Sequence, residues 1–227
     1  MIILHIETST NVCSVALSEN SDCLFFKSNA DGMNHAALLS VFIAEALEVL
    51  KSQGKSLSAV AVSSGPGSYT GLRIGVSTAK GLCYGLDIPL IAVSTLEVLA
   101  TEAINSIEDS GNALFCPMID ARRMEVYSAF YNKDMKLKRE ISADVIDTDS
   151  YTDILADQPV YFFGSGADKC KLSLTHSNAR FIENLVPLAT NMIPMALKAF
   201  DEQQFVDTAY FEPFYLKEFQ TTTAKKV

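Results

Sequence analysis

Short apolar stretches rich in β-branched residues alternate with turn residues and longer amphipathic stretches along the first half of the chain. The short stretches predict strands, and apolar residues three and four apart predict helices. The predicted strands cover residues 1–7, 12–17, 23–28, 58–64 and 88–93, and the predicted helices cover 35–51, 72–86 and a stretch that begins after Ser94. Asn34 is expected to cap the first helix, and Ser94 with Glu97 to form a capping box for the third. The predicted order is therefore βββαβαβα up to about residue 107.

The same order of elements begins again after a polar junction at residues 106–111. Strands are predicted at 114–120, 125–131, 136–146 and 160–163, helices at 150–156 and 188–200, and an irregular aromatic segment at 211–219. An Ile-Glu pair at the first turn of the first half corresponds to Ile119-Asp120 in the second half. The loop at 64–67 corresponds in the same way to the loop at 164–166. Two such halves predict a duplicated α/β fold of the ASKHA class (actin, hexokinase and Hsp70-like, RNase H-like). The first subdomain is expected at 1–107 and a second, smaller one with the C-terminal segment at 108–227.

The charge of the chain argues against a stand-alone nucleic-acid binder. Its formal net charge is −9, whereas affinity for nucleic acids comes largely from neutralised phosphates. The local basic stretches are Arg122-Arg123, residues 133–139 and Lys225-Lys226. No apolar run is long enough for a membrane span, and the five cysteines form no CxxC pair. A cytoplasmic protein with reduced cysteines is expected.

A glycine-rich loop precedes the second predicted helix, and its members of interest are Gly65, Gly67, Ser68, Thr70 and Gly71. Free backbone N–H groups before a helix suit an anion, so a weak anion site is one interpretation. The loop lacks the Gly-Lys-Ser/Thr of a P-loop and the glycine spacing of a dinucleotide fingerprint. The favoured alternative is a tight turn whose glycines let the helix pack closely against a strand.

Candidate catalytic groups are few and lack the expected partners. Ser68 and Ser165 do not lie in a G-x-S-x-G elbow, and no HxxxH or HExxH metal motif occurs. Glu7 and Asp120 could face a cleft and hold a magnesium–nucleotide, or could simply accept hydrogen bonds from turn N–H groups. The sequence therefore predicts no catalytic residue, no metal site and no cofactor. An ASKHA-type enzyme, either a peptidase or a small phosphotransferase, is kept as the alternative.

The helix at 72–86 has two faces that differ in character. An apolar arc should lie on the sheet and comprises Leu72, Gly75, Val76, Ala79, Leu82, Cys83 and Leu86. Beside it runs a narrow polar strip of Arg73, Lys80 and Tyr84. The remaining arc is small and uncharged, which suits the close approach of another helix, and it comprises Ile74, Ser77, Thr78, Gly81 and Gly85. The helix at 35–51 has an apolar arc wider than one-sided burial requires. The predicted partner interface comprises Leu38, Phe42, Arg73, Ile74, Ser77, Thr78, Gly81, Tyr84 and Gly85. The alternative is that the second subdomain covers this surface.

Several sequence blocks resemble those of one family. IETSTNVCSVAL, SSGPGSYTGLRIGVSTAKGL, IPLIAVSTLEVLA and PMIDARRMEVYSAFY are similar to successive signature blocks of the TsaB family, also called YeaZ. The segment from Pro213 to Lys217 resembles that family's C-terminal Pro-Tyr-Leu-Arg segment, with lysine in place of arginine. Glu7 stands where the family usually has aspartate.

The resemblance implies a non-catalytic subunit of the bacterial machinery that makes N6-threonylcarbamoyladenosine (t6A) in tRNA. In that machinery the paralogue TsaD transfers the threonylcarbamoyl group and TsaE is an ATPase. The resemblance further implies binding to TsaD through helices of the first subdomain, a possible contact with TsaE, and a homodimer when the chain is alone. Contact with tRNA is expected only indirectly, through the complex. The label "glycoprotease-like" belongs to the same superfamily.

Overall fold

The computed structural model describes residues 1–32 and 34–216, and two five-stranded sheets form its frame. The first sheet contains β1 (Ile2–Glu7), β2 (Cys13–Glu19), β3 (Asp22–Asn29), β4 (Ala59–Gly65) and β5 (Leu90–Ser94). The second contains β6 (Leu114–Asp120), β7 (Glu125–Tyr131), β8 (Leu137–Val145), β9 (Val160–Phe163) and β10 (Ala179–Ile182). The helices are α1 (His35–Ser52), α2 (Tyr69–Leu86), α3 (Thr95–Ser106), α4 (Thr152–Asp157) and α5 (Ile193–Asp201).

The two sheets have the same connectivity. The first has the order β3-β2-β1-β4-β5, and the second repeats it as β8-β7-β6-β9-β10. In each, the first three strands are antiparallel, and the fourth and fifth run parallel to the first. This repetition confirms the predicted duplicated α/β fold of the ASKHA class.

Helices cover both faces of the first sheet, which is why β1 is buried along its whole length. α1 and α2 pack on the face that carries Leu4 and Ile6. The opposite face, with Ile3, packs against α3 and α5. α3 also packs on β6 and β7, so it lies between the two sheets.

The C-terminal part of the chain returns to the first sheet. A 3₁₀ helix at Ala189–Met192 and α5 pack against it, and Val206 forms an antiparallel bridge with Leu90. Farther on, the N–H of Phe214 donates to the carbonyl of Ser64 at 2.7 Å. A division at residue 107 stays a prediction, but residues 189–214 contact the first sheet although they follow the second in sequence.

Several predicted details are wrong at element ends. α2 begins at Tyr69 because the Ser68 side chain accepts the N–H of Gly71, so part of the predicted loop is helical. Asn34 and Ser94 occupy N-cap positions without a capping hydrogen bond from their own side chains, whereas the Glu97 carboxylate accepts the backbone N–H of Ser94 and so forms its half of the predicted capping box. The short edge strand β10 was not predicted. The predicted helix at 188–200 is a 3₁₀ turn followed by α5, which begins before Pro194.

The predictions on Lys217, on residues 217–219 and on Lys225-Lys226 lie outside the described residues. Within the described part of the chain, no helix is long and apolar enough to cross a membrane.

Candidate partner interface on helix α2

The start of α2 packs directly on the turn between β1 and β2. A Cβ on Gly67 would overlap the backbone of Ser9, and one on Gly71 would overlap the carbonyl oxygen of Thr8. The N–H of Ser68 donates to the carbonyl of Ser9 at 2.6 Å, and the Thr8 hydroxyl donates to the carbonyl of Gly71 at 2.8 Å. The glycines thus permit close packing of helix and turn, as the favoured interpretation of the loop requires. The backbone N–H groups of Ser68 and Gly71 already donate to acceptors within the chain, so they are not free to bind an anion at the predicted site.

The two candidate acids have different surroundings and do not form a pair open to a cleft. Glu7 is fully buried, and its Oε1 accepts the N–H of Ser9 at 2.6 Å. Burial raises the pKa of Glu7 to about 6. Asp120 is exposed, accepts the N–H of Arg122 at 2.9 Å and contacts the ammonium of Lys169. In residues 1–32 and 34–216 no group of three His, Cys, Asp or Glu side chains could hold a metal ion.

The histidines and the candidate serines hold structural positions. His5 is buried with Nε2 2.9 Å from the hydroxyl of Ser18, and burial lowers its pKa to about 3. His35 Nε2 lies 2.8 Å from the carbonyl of Thr10. Ser68 caps α2, and the hydroxyl of Ser165 accepts the N–H of Asp120. These side chains are therefore engaged in hydrogen bonds between strands, at turns or at a helix cap.

The two faces of α2 separate as the periodicity predicts. Its buried residues are Gly71, Leu72, Gly75, Val76, Ala79 and Cys83. The exposed ones include Arg73, Ser77, Gly81, Tyr84 and Gly85, whereas Ile74 and Thr78 are half-buried. Leu86, expected on the sheet side, is 51% exposed because it lies in the last turn, beyond the sheet contacts.

No other part of the described chain covers the outer face of α2 at Gly81, Tyr84 and Gly85. A Cβ added to Gly81 or Gly85 would meet no atom within 4 Å, and Tyr84 is 88% exposed. The second subdomain therefore does not cover Gly81, Tyr84 and Gly85, although residues 207–211, which the prediction assigns to that subdomain, border this face. An exposed helix surface with two glycines and few charges remains open to another molecule.

α1 exposes different side chains from those predicted for the interface. Phe42 is 4% exposed and packs in the core below α1, so its place in the predicted interface is wrong. Leu38 is half-buried. Val41, which precedes Phe42 in sequence and which the prediction omitted, is 48% exposed.

The C-terminal segment borders the outer face of α2. The Lys80 ammonium donates to the carbonyls of Ala209 and Phe211, both at 3.0 Å. A shallow groove lies between α2 and this segment, lined by Lys80, Gly81, Tyr84, Asp207, Thr208 and Ala209. Sequence reasoning missed this role of Lys80 because its partners lie 129 and 131 residues away.

At the other end of α2, three side chains form a stack. The guanidinium of Arg73 lies 4.6 Å from the ring centre of Tyr69, and the Tyr69 ring lies 5.0 Å from that of Tyr215. The predicted interface residue Arg73 is thus held in place by aromatic contacts.

Comparison with known proteins identifies the family. A family model described as "TsaD: tRNA N6-adenosine threonylcarbamoyltransferase" matches residues 31–206. The chain is 34% identical to the Bacillus subtilis tRNA threonylcarbamoyladenosine biosynthesis protein TsaB over 167 residues, which is 72% of this chain and 71% of that protein. It is 30% identical to Escherichia coli TsaB over 228 residues, covering 96% and 95% of the two chains. The chain belongs to the TsaB (YeaZ) family.

Solved structures of the TsaB family agree with this assignment. YeaZ from Pseudomonas aeruginosa matches with a TM-score of 0.77 and 27% identity, covering 95% of this chain and 99% of that one. A second structure, described as an uncharacterized protein with similarity to peptidase YEAZ from Pseudomonas aeruginosa, has a TM-score of 0.81 and 26% identity at the same coverage.

Proposed function

We propose that this chain is a non-catalytic subunit in tRNA threonylcarbamoyladenosine biosynthesis that binds and supports a TsaD-like catalytic paralogue. The proposal draws on the names of its TsaB relatives, which describe proteins of this biosynthesis. Residues 31–206 match the family model described as TsaD, which is consistent with this chain and its proposed partner being paralogues of the same fold. Further parts of the proposal are a homodimer when the chain is alone, a contact with a TsaE-like ATPase, tRNA held through the complex, and a cytoplasmic location.

The observation that carries the proposal is the open outer face of α2. Gly81 and Gly85 leave space for the backbone of a second helix, which would otherwise be kept away by side chains. Tyr84 and Arg73 are of the residue types that dominate binding energy at protein interfaces. Glycine within an exposed helix costs about 1 kcal/mol relative to alanine, so two of them on one uncovered face favour a role in close contact.

The non-catalytic part of the proposal rests on what the candidate groups already do. Glu7 is buried, Ser68 caps a helix, and Asp120 is engaged by Lys169. The second candidate function is a peptidase, because one solved relative is described as similar to a peptidase. That function would require a nucleophile with a base beside it.

A reconstitution distinguishes the two functions. The purified chain is combined with the TsaD-like paralogue and TsaE-like ATPase of its own organism, and transfer of labelled threonine into tRNA is measured with and without the chain. We expect transfer only when the chain is present, and neither ATP hydrolysis nor peptide cleavage by the chain alone. Turnover by the chain alone that disappears in Ser68→Ala or Asp120→Asn, with the circular dichroism spectrum unchanged, would make it an enzyme.

A further inference from the structure

Two consecutive arginines occupy strained backbone positions in the turn between β6 and β7. Arg122 has φ of 72° and Arg123 has φ of 50°. This left-handed region costs a residue other than glycine roughly 1 kcal/mol or more, and Asn and Asp tolerate it better than other residues with side chains. Since other residues would form the turn at lower cost, the reason for two arginines lies in their side chains.

The turn holds these side chains on a fixed backbone. The N–H of Ala121 donates to the carbonyl of Glu125, and the N–H of Glu125 to the carbonyl of Arg122, both at 3.1 Å. The N–H of Arg122 donates to the Asp120 carboxylate at 2.9 Å. A neighbouring bond from the N–H of Ile146 to the carbonyl of Met124, at 2.8 Å, ties the turn to the end of β8.

The charge of the pair is available for a ligand. Both arginines are exposed, and among the described residues no ion pair involves either guanidinium. The adjacent carboxylate of Asp120 is instead paired with Lys169. The two guanidinium groups thus form a local positive site on a chain of net charge −9. The planar guanidinium fork matches the oxygens of a phosphate with two parallel hydrogen bonds.

We infer that Arg122 and Arg123 bind the phosphate backbone of the tRNA within the complex. The inference rests on the proposed function and extends it, because there tRNA contact was only indirect. The acidic remainder of the chain requires a partner to supply most of the affinity, and this turn adds one or two phosphate contacts. Each such contact makes the logarithm of the binding constant fall by about 0.7–0.9 for each tenfold increase in salt.

The test uses Arg122→Asn combined with Arg123→Asn, because asparagine tolerates the left-handed backbone and keeps the turn. The variant is assembled with the TsaD-like partner, and the Kd for an unmodified tRNA transcript is measured across a series of KCl concentrations. We expect the Kd to rise roughly tenfold to hundredfold, as for the loss of one or two charge-assisted hydrogen bonds. The salt slope should become shallower by about 1–2.

A matched control removes the same charge at the opposite end of the same strand. Lys133→Asn with Lys136→Asn changes the exposed turn after β7, about 20 Å from the arginines along that strand. This control should alter the Kd much less. Equal weakening by both double variants would mean a general charge effect and would overturn the inference.

The remaining outcomes separate this inference from the proposed function. If the native complex binds tRNA and the arginine variant binds it equally well, the inference is wrong and the proposed function stands. If the arginine variant no longer binds the partner, the pair contacts protein and not RNA. If the native chain forms no complex with the paralogue, the proposed function fails and the inference fails with it.

Discussion

At the residue scale, the contact between α2 and the β1–β2 turn depends on the absence of single side-chain atoms. Gly71 lies against the carbonyl oxygen of Thr8 and Gly75 against its hydroxyl, so neither position has room for a Cβ. Gly81, on the same helix, faces open space. Glycine therefore has opposite consequences at two positions of one helix: close packing at the first and an open surface at the second.

This difference predicts opposite signs for one substitution. Gly71→Ala should lower the free energy of unfolding by about 1–3 kcal/mol, because the helix or the turn must shift to admit the methyl group. Gly81→Ala should raise it by up to about 1 kcal/mol, because alanine is the better helix former. Urea unfolding of the two variants measures both effects. Equal effects at the two positions would contradict the packing described here.

Glu7 predicts a pH dependence of stability with a definite sign. Its pKa in the folded chain is about 6, above the ordinary 4.5, because burial disfavours the carboxylate. The contribution of the protonated side chain to the free energy of unfolding is therefore fully present below pH 4.5 and is lost as the pH rises through 6. The pKa of buried His5 is lowered, so the neutral imidazole stabilises the fold and this stability is lost as the pH falls. The effect of Glu7 must therefore be measured as a difference between a variant and the native chain.

Glu7→Gln removes the titration and keeps a side-chain oxygen for the N–H of Ser9. The stability of this variant minus that of the native chain should increase by about 2 kcal/mol as the pH rises from 4 to 7. His5 is common to both proteins, so its contribution cancels. Denaturant unfolding at a series of pH values gives the difference. A difference that does not change with pH would mean that the Glu7 pKa is not raised.

At the element scale, Lys80 holds the middle of the segment after α5, whose ends are fixed by the bridge of Val206 to Leu90 and the bond of Phe214 to Ser64. Lys80 donates to two carbonyls of that segment, and the segment forms one wall of the groove beside Gly81. Lys80→Met should release these carbonyls and increase amide hydrogen exchange across residues 207–211, with a loss of roughly 1–3 kcal/mol in local stability. Lys51→Met, at an exposed lysine of α1, is the control and should leave that exchange unchanged. Unchanged exchange in the Lys80 variant would show that the lysine does not hold this segment against α2.

The elements differ in how far the sequence predicts them. The buried strands of the first sheet and the two faces of α2 were predictable, because each has a clear apolar period. β10 was not, because it has four residues, of which Arg180 is exposed, and its position depends on pairing with β9. The burial of Phe42 and the hydrogen bonds of Lys80 also depend on tertiary contacts. The periodicity of the sequence shows where apolar and charged side chains lie on a helix, but not which neighbours they contact. The burial of Glu7 depends in the same way on packing around the whole turn.

At the scale of the whole molecule, two copies of one sheet topology have come to differ in their surfaces. The fourth strand of the first sheet leads into α2, an 18-residue helix with an open outer face. The corresponding strand of the second sheet leads into a 3₁₀ turn at Asp168–Cys170 and a loop. The first half therefore carries the proposed helical interface, and the second half carries the basic turn at Arg122 and Arg123. One molecule could then contact a protein partner and its tRNA with different halves.

The measurement that tests this account most directly is partner binding by Gly81→Arg. An arginine at this position would place a charge where a partner helix approaches most closely. Burying it unpaired costs several kcal/mol, enough to weaken binding by two or more powers of ten. In the free chain the position is open, so the melting temperature should be unchanged or slightly higher.

Asn105→Arg, at an exposed position of α3, serves as the control for the added charge and should bind the TsaD-like paralogue normally. Affinity by titration calorimetry and melting temperature are measured for both variants. The account predicts a stable Gly81→Arg protein that no longer binds the paralogue. A stable Gly81→Arg protein that binds it with native affinity would contradict the account.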